Sequence, residues 1–564
     1  MGVQLSPGVA ISEVDLTTIV PSVSSTAGAY AGYFRWGPVN KPVLISNEIS
    51  LANTFGKPDA NTVVDSGISF FSAANFLAYG NTLYVSRAAN TTSYNATANG
   101  ATIQIKNSDD FQYTYLNGNN ANVAGPFVAR YPGALGNSLS VHMIDSGNTS
   151  WNYSSYFTSE PSTSAYASSV GGSNDEVHVV VVDEDGLFSG TQGTVLETFG
   201  FLSKAVDSTI NGASNYWKQV IFDQSKYVYA IDPPQYATTS STWGTTASGK
   251  SFATLSVASI NSLSNGSDKV ITDADLQNAY SKFVNKEEID ISLVITGNAS
   301  VTTQQYVIDN IANSRADCVA FISPRYVDVV NQSGSESSNI ATWLSSLSRS
   351  SSYVVADSGW KYQFDRYNNK YRWIPLNADV AGLCVYTDTI ADPWYSPAGL
   401  NRGAIKNVVK LAWNPNKTFR DSLYSVGVNP VVSFPGNGTV LFGDKTLQAK
   451  PSAFDRINVR RLFIVLEKAI STAAKYSLFE FNDEYTRSQF NAIVTPFLRE
   501  VQGRRGVTDF KVVCDSTNNT PAVIDANQFV GDIYIKPARS INYIQLNFVA
   551  VATGVNFNTI IGQA

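Results

Sequence analysis

The chain has 564 residues, 43% of them hydrophobic and 15% charged, with a formal net charge of −6. That length asks for three or four domains, and the composition describes an ordinary globular core under an unusually uncharged surface rich in Ser, Thr, Asn and Gly. No run is basic enough for nucleic-acid binding, no apolar run approaches the roughly 18–20 residues of a membrane span, and no secretory signal is read at the amino terminus.

In chain order, residues 9–16 read as a short strand between Pro7-Gly8 and a flexible run at 21–26. A strand at 27–34, another at 41–45, helices at 47–56 and 66–79 and a strand at 83–87 predict a small α/β layer. Residues 90–125 read as a polar excursion, with strands near 139–144 and 177–182 and a helix over 195–208. From Asp273 the pattern is helix, strand at 289–295, helix, strand at 318–322, helix and strand at 353–356, as in a parallel sheet. A hairpin near Asn368-Asn369 carries alternating Tyr362, Phe364, Tyr371 and Trp373. Residues 454–478 form a long helix, and 483–501 a second one interrupted at Pro496. Strands at 510–514 and 529–535 then make a ribbon too narrow to be stable alone.

Residues 541–551 are a lone strand, with Ile544, Leu546, Phe548 and Ala550 on one face. A strand at each end either closes a sheet in its own domain or pairs with other copies of the chain. Residues 451–564 carry +2 while the rest carries −8, which hints at an anionic partner for the carboxy-terminal part.

Little points to catalysis. Gly244-Thr-Thr-Ala-Ser-Gly-Lys-Ser251 fits the phosphate-cradling loop, with Lys250 as the cation. It follows a polar loop instead of a buried strand, and what comes next alternates like a strand. His142 and His178 lie in β-like runs without ligand-spaced partners. The pairs Glu287-Glu288 and Asp483-Glu484 sit in no cleft motif. The three cysteines, Cys318, Cys384 and Cys514, read as buried small hydrophobes. No cofactor and no metal are expected.

Several ordered stretches carry a family resemblance. They are Leu5-Ser-Pro-Gly8, Gly32-Tyr-Phe-Arg-Trp-Gly-Pro38, Asn75-Phe-Leu-Ala-Tyr-Gly-Asn81 and Tyr131-Pro-Gly-Ala-Leu-Gly136. Further on come Arg372-Trp-Ile-Pro-Leu-Asn-Ala-Asp-Val-Ala-Gly-Leu383, Val513-Cys-Asp-Ser-Thr-Asn-Asn-Thr-Pro521 and Pro537-Ala-Arg-Ser-Ile-Asn-Tyr543. In these the chain resembles the tail sheath proteins of contractile bacteriophages, the T-even-like group above all. A sheath of a phage-like injection particle, or a self-assembling surface-layer or adhesive protein, is the alternative reading.

The resemblance implies a multidomain α/β and α+β chain whose inner domain is built from both chain ends. The arms would be 1–20 and 537–564, and the middle α/β domain 21–90 with 350–450. A short insertion at 91–130, an outer α/β domain at 131–349 and a tube-facing inner domain at 451–536 complete the division. It also implies strand donation between subunits, through Val9, Ile11, Glu13 and Val14 and through Ile544, Leu546, Phe548 and Ala550. The receiving ribbon would be Val512, Val513, Phe529, Ile533 and Ile535, with hinges at 22–26 and 537–540. Implied partners are other sheath subunits in stacked hexameric rings, a tail tube protein, and baseplate and terminator proteins. Neither nucleic acid nor membrane is among them. The expected location is the virion tail, after assembly in host cytoplasm. Arg456, Arg460 and Arg461 are candidates for an acidic tube surface; pairing with Asp455, Glu467 or neighbouring subunits is the equal alternative.

Overall fold

A computed structural model describes residues 24–59, 65–116, 124–147, 151–234, 242–542 and 544–545. Val9, Ile11, Glu13, Val14, Leu546, Phe548 and Ala550 lie outside the described residues. The chain divides into two compact units, 1–481 and 482–564. No described helix is long and apolar enough to cross a membrane.

The larger unit is organised by a seven-stranded sheet in the order Val428–Asn429, Val354–Asp357, Val319–Ile322, Leu293–Ile295, Gly28–Tyr33, Leu83–Ala88, Val43–Ile45. All neighbours are parallel except the edge strand Val43–Ile45. The inner strands are almost continuously apolar and buried, as strands covered on both faces must be. Tyr30 faces a core with Phe70 and Phe76 of the helix Gly67–Leu77 and Leu383 of the helix Asn377–Ile390. Ala29 and Ala31 face the other core, with Tyr280, Ile308 and Trp343. Gly28 sits where a Cβ would come within 2.6 Å of Phe76 Cζ, so the helix approaches the sheet only because that position is bare.

Local signals set the helix ends. Asn47 and Thr272 each close a capping box, at the helices Glu48–Phe55 and Asp273–Tyr280. The hairpin of Trp360–Asp365 and Lys370–Pro375 turns through Asn369, whose φ is +48°.

Between Ala88 and Asp273 the chain builds an outer domain. Its antiparallel sheet runs Ser259–Ser262, Leu139–Asp145, Glu176–Asp183, Thr194–Ser203, over a core containing Val179 and Trp217. Arg87, 1% exposed, fastens this domain to the sheet. Its guanidinium donates to the carbonyls of Phe34 (2.8 Å), Gly37 (2.9 Å) and Pro132 (2.6 Å). Burial pushes its pKa below the usual arginine range, against the pull of Tyr33 and Asp268.

Several expectations are corrected. Residues 273–349 are not part of an outer domain, because Leu293–Ile295 and Val319–Ile322 extend the central sheet. Nor are 91–130 a separate insertion, since Phe127–Ala129 pairs with Val228–Ala230. The helix expected over 195–208 is the strand Thr194–Ser203. Two bulges opposite Glu176–Asp183 break its alternation, so Val195, Phe199 and Leu202 fall at helix-like spacing. The helix Ile457–Ala474 belongs to the larger unit and not to an inner domain with the ribbon: Ile457 and Ile464 enter the main core. The helix Glu484–Gly503 runs unbroken through Pro496, whose exposed position leaves the freed carbonyl of Ala492 to water.

Replacing Arg87 by Met would strand its carbonyl acceptors inside the protein. The unfolding free energy of the larger unit should fall by about 3 kcal/mol or more, read by chemical denaturation.

Candidate functional site

The smaller unit is the helix Glu484–Gly503 laid on a two-stranded ribbon. Asp483 caps the helix by accepting from Thr486 N at 2.8 Å. Phe490, Val494, Leu498 and Val501, spaced three and four apart, are its buried stripe. The ribbon pairs Val507–Val513 with Asp532–Pro537 antiparallel, Phe510 opposite Ile535 and Val512 opposite Ile533. Phe529 precedes the second strand and stands edge-on to Phe490, ring centres 5.4 Å apart. The turn-rich link is held by Asn519: its Nδ2 donates to Val530 O at 2.8 Å and its Oδ1 accepts from Val530 N at 2.9 Å.

The sheet stops there. Neither outer edge is paired with a strand among the described residues. Two strands make a marginal sheet even with a helix on one face. Of the expected ribbon residues, Val512, Val513, Ile533 and Ile535 lie in its strands and Phe529 at their base. Beyond the ribbon, Ala538 N still reaches Gly506 O at 3.1 Å. Ile541 and Ile544 are then 80% and 77% exposed.

At the start of the described residues, in the larger unit, the backbone at Ser24–Ala27 is fixed. Ser292 N donates to Ala27 O at 2.8 Å, and Ser292 Oγ to Ser24 O at 2.9 Å. Ser25 Oγ donates to Asp388 Oδ2 at 2.7 Å. Arg461 grips the same carboxylate in a fork, 2.8 and 2.6 Å, and also donates to Ser25 O at 3.3 Å. Both members of this pair are buried, 4% and 5% exposed. Burial opposes the charge on Arg461, but Asp388 more than offsets it and raises its pKa above the ordinary arginine range.

Of the three arginines considered for an acidic tube surface, Arg460 and Arg461 are buried. Arg461 is the clamp on Asp388 and Ser25. Arg460 is buried between the rings of Tyr353 (4.2 Å) and Phe454 (4.0 Å), and its Nη1 donates to the Tyr353 hydroxyl at 3.1 Å. Charge in a sequence does not report burial, and each of these groups was recognisable only from its facing ring or carboxylate. Arg456 is the helix N-cap, 22% exposed and 3.8 Å from Asp444.

Several backbone donors of the phosphate-loop match are already used within the protein. Gly244 N goes to Lys204 O, Ala247 N to Asp207 Oδ1, Gly249 N to Val170 O and Lys250 N to Ala247 O. No helix follows it. The strand order reverses at Gly28–Tyr33, and ligands of open α/β sheets sit beyond the carboxyl ends at such a reversal. Here that place is filled. Asn377 Nδ2 donates to Gly297 O and Ser323 Oγ, both 2.9 Å, and Ser323 Oγ donates to Asp357 Oδ2 at 2.7 Å. Burial pushes the Asp357 carboxyl up to about 8, against the bonds from Ser323 and Gly359.

The comparisons with known proteins follow the same architecture. Residues 27–88 match the tail sheath protein Gp18 domain III N-terminal region, 269–447 the phage tail sheath protein central domain, and 449–550 the phage tail sheath C-terminal domain. The tail sheath protein of Vibrio phage KVP40 is 34% identical, covering 99% of this chain and 100% of that one. That of Enterobacteria phage T4 is 32% identical, with 99% of each covered. The chain belongs to the phage tail sheath family. The alignment with the KVP40 sheath runs over 709 positions against 564 residues here, so that relative carries additional segments. The fold is also that of a sheath tail protein from Listeria innocua, at TM-score 0.53 and 11% identity, covering 93% of this chain and 97% of that one. It is likewise that of the sheath of an extracellular contractile injection system in its contracted state, at TM-score 0.51 and 12% identity, covering 97% and 98%. The sheath matches at 27–88 and 269–447 flank residues 89–268, which hold the outer domain.

Two measurements check the geometry. Asp388→Ala leaves the Arg461 charge buried and should cost about 3–5 kcal/mol. Arg461→Met added to it should cost less than the sum of the two single changes in a denaturation cycle. For Asp357, the folded pKa lies above the unfolded value, so its contribution is complete below about pH 4 and is lost as pH rises towards 8. Asp357→Asn should remove a decline of up to about 1.4 kcal/mol per pH unit across that window, seen as denaturation midpoints that vary less with pH than those of the unaltered chain.

Proposed function

We propose that this sheath chain polymerises by exchanging strands: residues 9–16 and 541–551 of one copy complete the ribbons of neighbouring copies. The observation that carries this reading is the ribbon of Val507–Val513 and Asp532–Pro537, whose outer edges have no strand partner among the described residues. Main-chain groups along such edges are templates for another chain. Donation from one patch to a different patch is heterologous, and contacts of that kind build rings or open helices.

Each added strand would make about five ladder bonds at roughly 0.5–1.5 kcal/mol apiece. Burial of Leu546 and Phe548 would add about 3–6 kcal/mol. These links hold copies together while whole domains rotate. The hinges expected at 22–26 and 537–540 would be the pivots, and the bonds holding Ser24 and Ser25 favour the part of the first hinge that precedes them.

The subunits would assemble as stacked hexameric rings around a tail tube protein, bounded by baseplate and terminator proteins, in an extended state that later contracts and drives the tube through a host envelope. Weaker domain contacts in the extended state store the free energy, so neither nucleotide nor catalysis is required. Arg456, partly exposed at the head of its helix, is the remaining arginine we assign to the tube.

A chain ending at Ser540 should stay folded, soluble and monomeric in sedimentation velocity, where the full chain forms long polymers. Polymers of unaltered length from the truncated chain would count against strand exchange.

A further inference from the structure

Among the described residues two lysine–aspartate pairs are wholly buried, and they are satisfied differently. Lys204 Nζ donates to Asp145 Oδ2 at 2.7 Å and to the carbonyls of Asn174 (2.8 Å) and Ala253 (3.0 Å). Asp145 accepts in addition from Gly147 N on Oδ1 and from Leu255 N on Oδ2, both at 2.9 Å. Three N–H groups meet three acceptors and each carboxylate oxygen has a donor, as a lasting buried ion pair requires.

Lys361 and Asp379 are placed otherwise. Lys361 stands in the strand Trp360–Asp365 opposite Ile374, and Asp379 in the first turn of the helix Asn377–Ile390. Lys361 Nζ donates to Asp379 Oδ1 at 2.8 Å and to Lys406 O at 2.9 Å, so its third N–H has no acceptor among the described residues. Asp379 Oδ1 also accepts from the Tyr79 hydroxyl at 3.3 Å, and that hydroxyl accepts from Lys406 N at 2.7 Å. Asp379 Oδ2 is buried with no partner among the described residues. A bare carboxylate oxygen in an interior is costly. Burial pushes the Lys361 amine down and the Asp379 carboxyl up, which draws the proton between them away from the nitrogen. An amide joining the two side chains would resolve every mismatch. It has one N–H, for Lys406 O, and one carbonyl, for the Tyr79 hydroxyl, and it lacks the orphaned oxygen.

We propose that Lys361 and Asp379 condense in the folded chain into an isopeptide bond that ties the hairpin to the helix Asn377–Ile390. Lys361 Nζ attacks Asp379 Cγ, the Nζ–Cγ bond forms and the Cγ–Oδ2 bond breaks. Oδ2 leaves as water with two of the three ammonium protons, and the third stays on the amide nitrogen. The pair is neutral overall before and after, and no oxidant or co-reactant is consumed. A desolvated amine is an activated nucleophile, and its fixed contact with the carboxyl supplies proximity. Tyr79 donates to Oδ1, where negative charge gathers in the tetrahedral intermediate. Lys204 and Asp145, held in the charged form by their full set of partners, stay unlinked. The helix so tied is the one that carries Asp388.

Mass spectrometry of the folded full chain tests this. The protein should be lighter than its sequence by one water, and trypsin should leave Lys361 uncut and release residues 350–366 joined to 373–402. Lys361→Met should keep the full mass and release 373–402 by itself. Full mass with cleavage after Lys361 in the unaltered chain would overturn the proposal, and so would the same loss of water from Lys361→Met. If that variant does not fold, the unaltered chain decides alone: the joined fragment supports the bond, and separate fragments overturn it.

Discussion

Everything in the larger unit depends on the parallel pairing of Gly28–Tyr33 with Leu83–Ala88 on one side and Leu293–Ile295 on the other. The first strand of the chain is the middle of the sheet, and its two neighbours are separated by the whole outer domain. Closing so long a loop costs little more than closing a short one, because the entropy grows only with the logarithm of length. The excursion is therefore free to change in size while the sheet stays constant. Arg87 is what keeps it from being a loose appendage. It stands at the end of Leu83–Ala88 and gathers carbonyls from 34–37 and from Pro132 within the outer domain.

The described residues near the two chain ends are held in opposite ways. At Ser24–Ala27 a buried arginine–aspartate fork, two serines and a strand end fix the backbone. Breaking such a pair by removing one member leaves a buried charge, which makes the root costly to move. Where the second arm emerges, one backbone bond holds Ala538, and large apolar side chains follow it into solvent.

How much of this was legible beforehand follows from what sequence encodes. The apolar runs at 293–295, 319–322 and 354–357 and the interleaved helices gave the parallel sheet, and Asn47 and Asn369 marked a cap and a turn. The strand Thr194–Ser203 was misread because bulges reset its alternation, a pairing property invisible along one strand. Arg87, Arg460 and Arg461 look in sequence like any surface cation. Their burial depends on carbonyls, rings and a carboxylate contributed by distant segments. The helix Ile457–Ala474 has the same apolar stripe whichever unit it packs on, so its assignment to the larger unit could not be read from periodicity. The ribbon was legible as far as its own strands.

The filled reversal of the sheet bears on why such a fold serves mechanics. In an α/β sheet that binds a ligand, the crevice beyond the strand ends needs unsatisfied donors and acceptors that a substrate can complete. In this chain Asn377 completes them from within, satisfying Gly297 and Ser323 at the head of the helix Asn377–Ile390. That helix also carries Asp388 at its other end, on the arm-root clamp. One rigid element of 14 residues therefore spans from the plugged crevice to the point where the first arm departs. Polar groups that elsewhere recognise a small molecule are here spent on locking that helix to the sheet. A load applied at Ser25 then meets the whole core instead of a hinge.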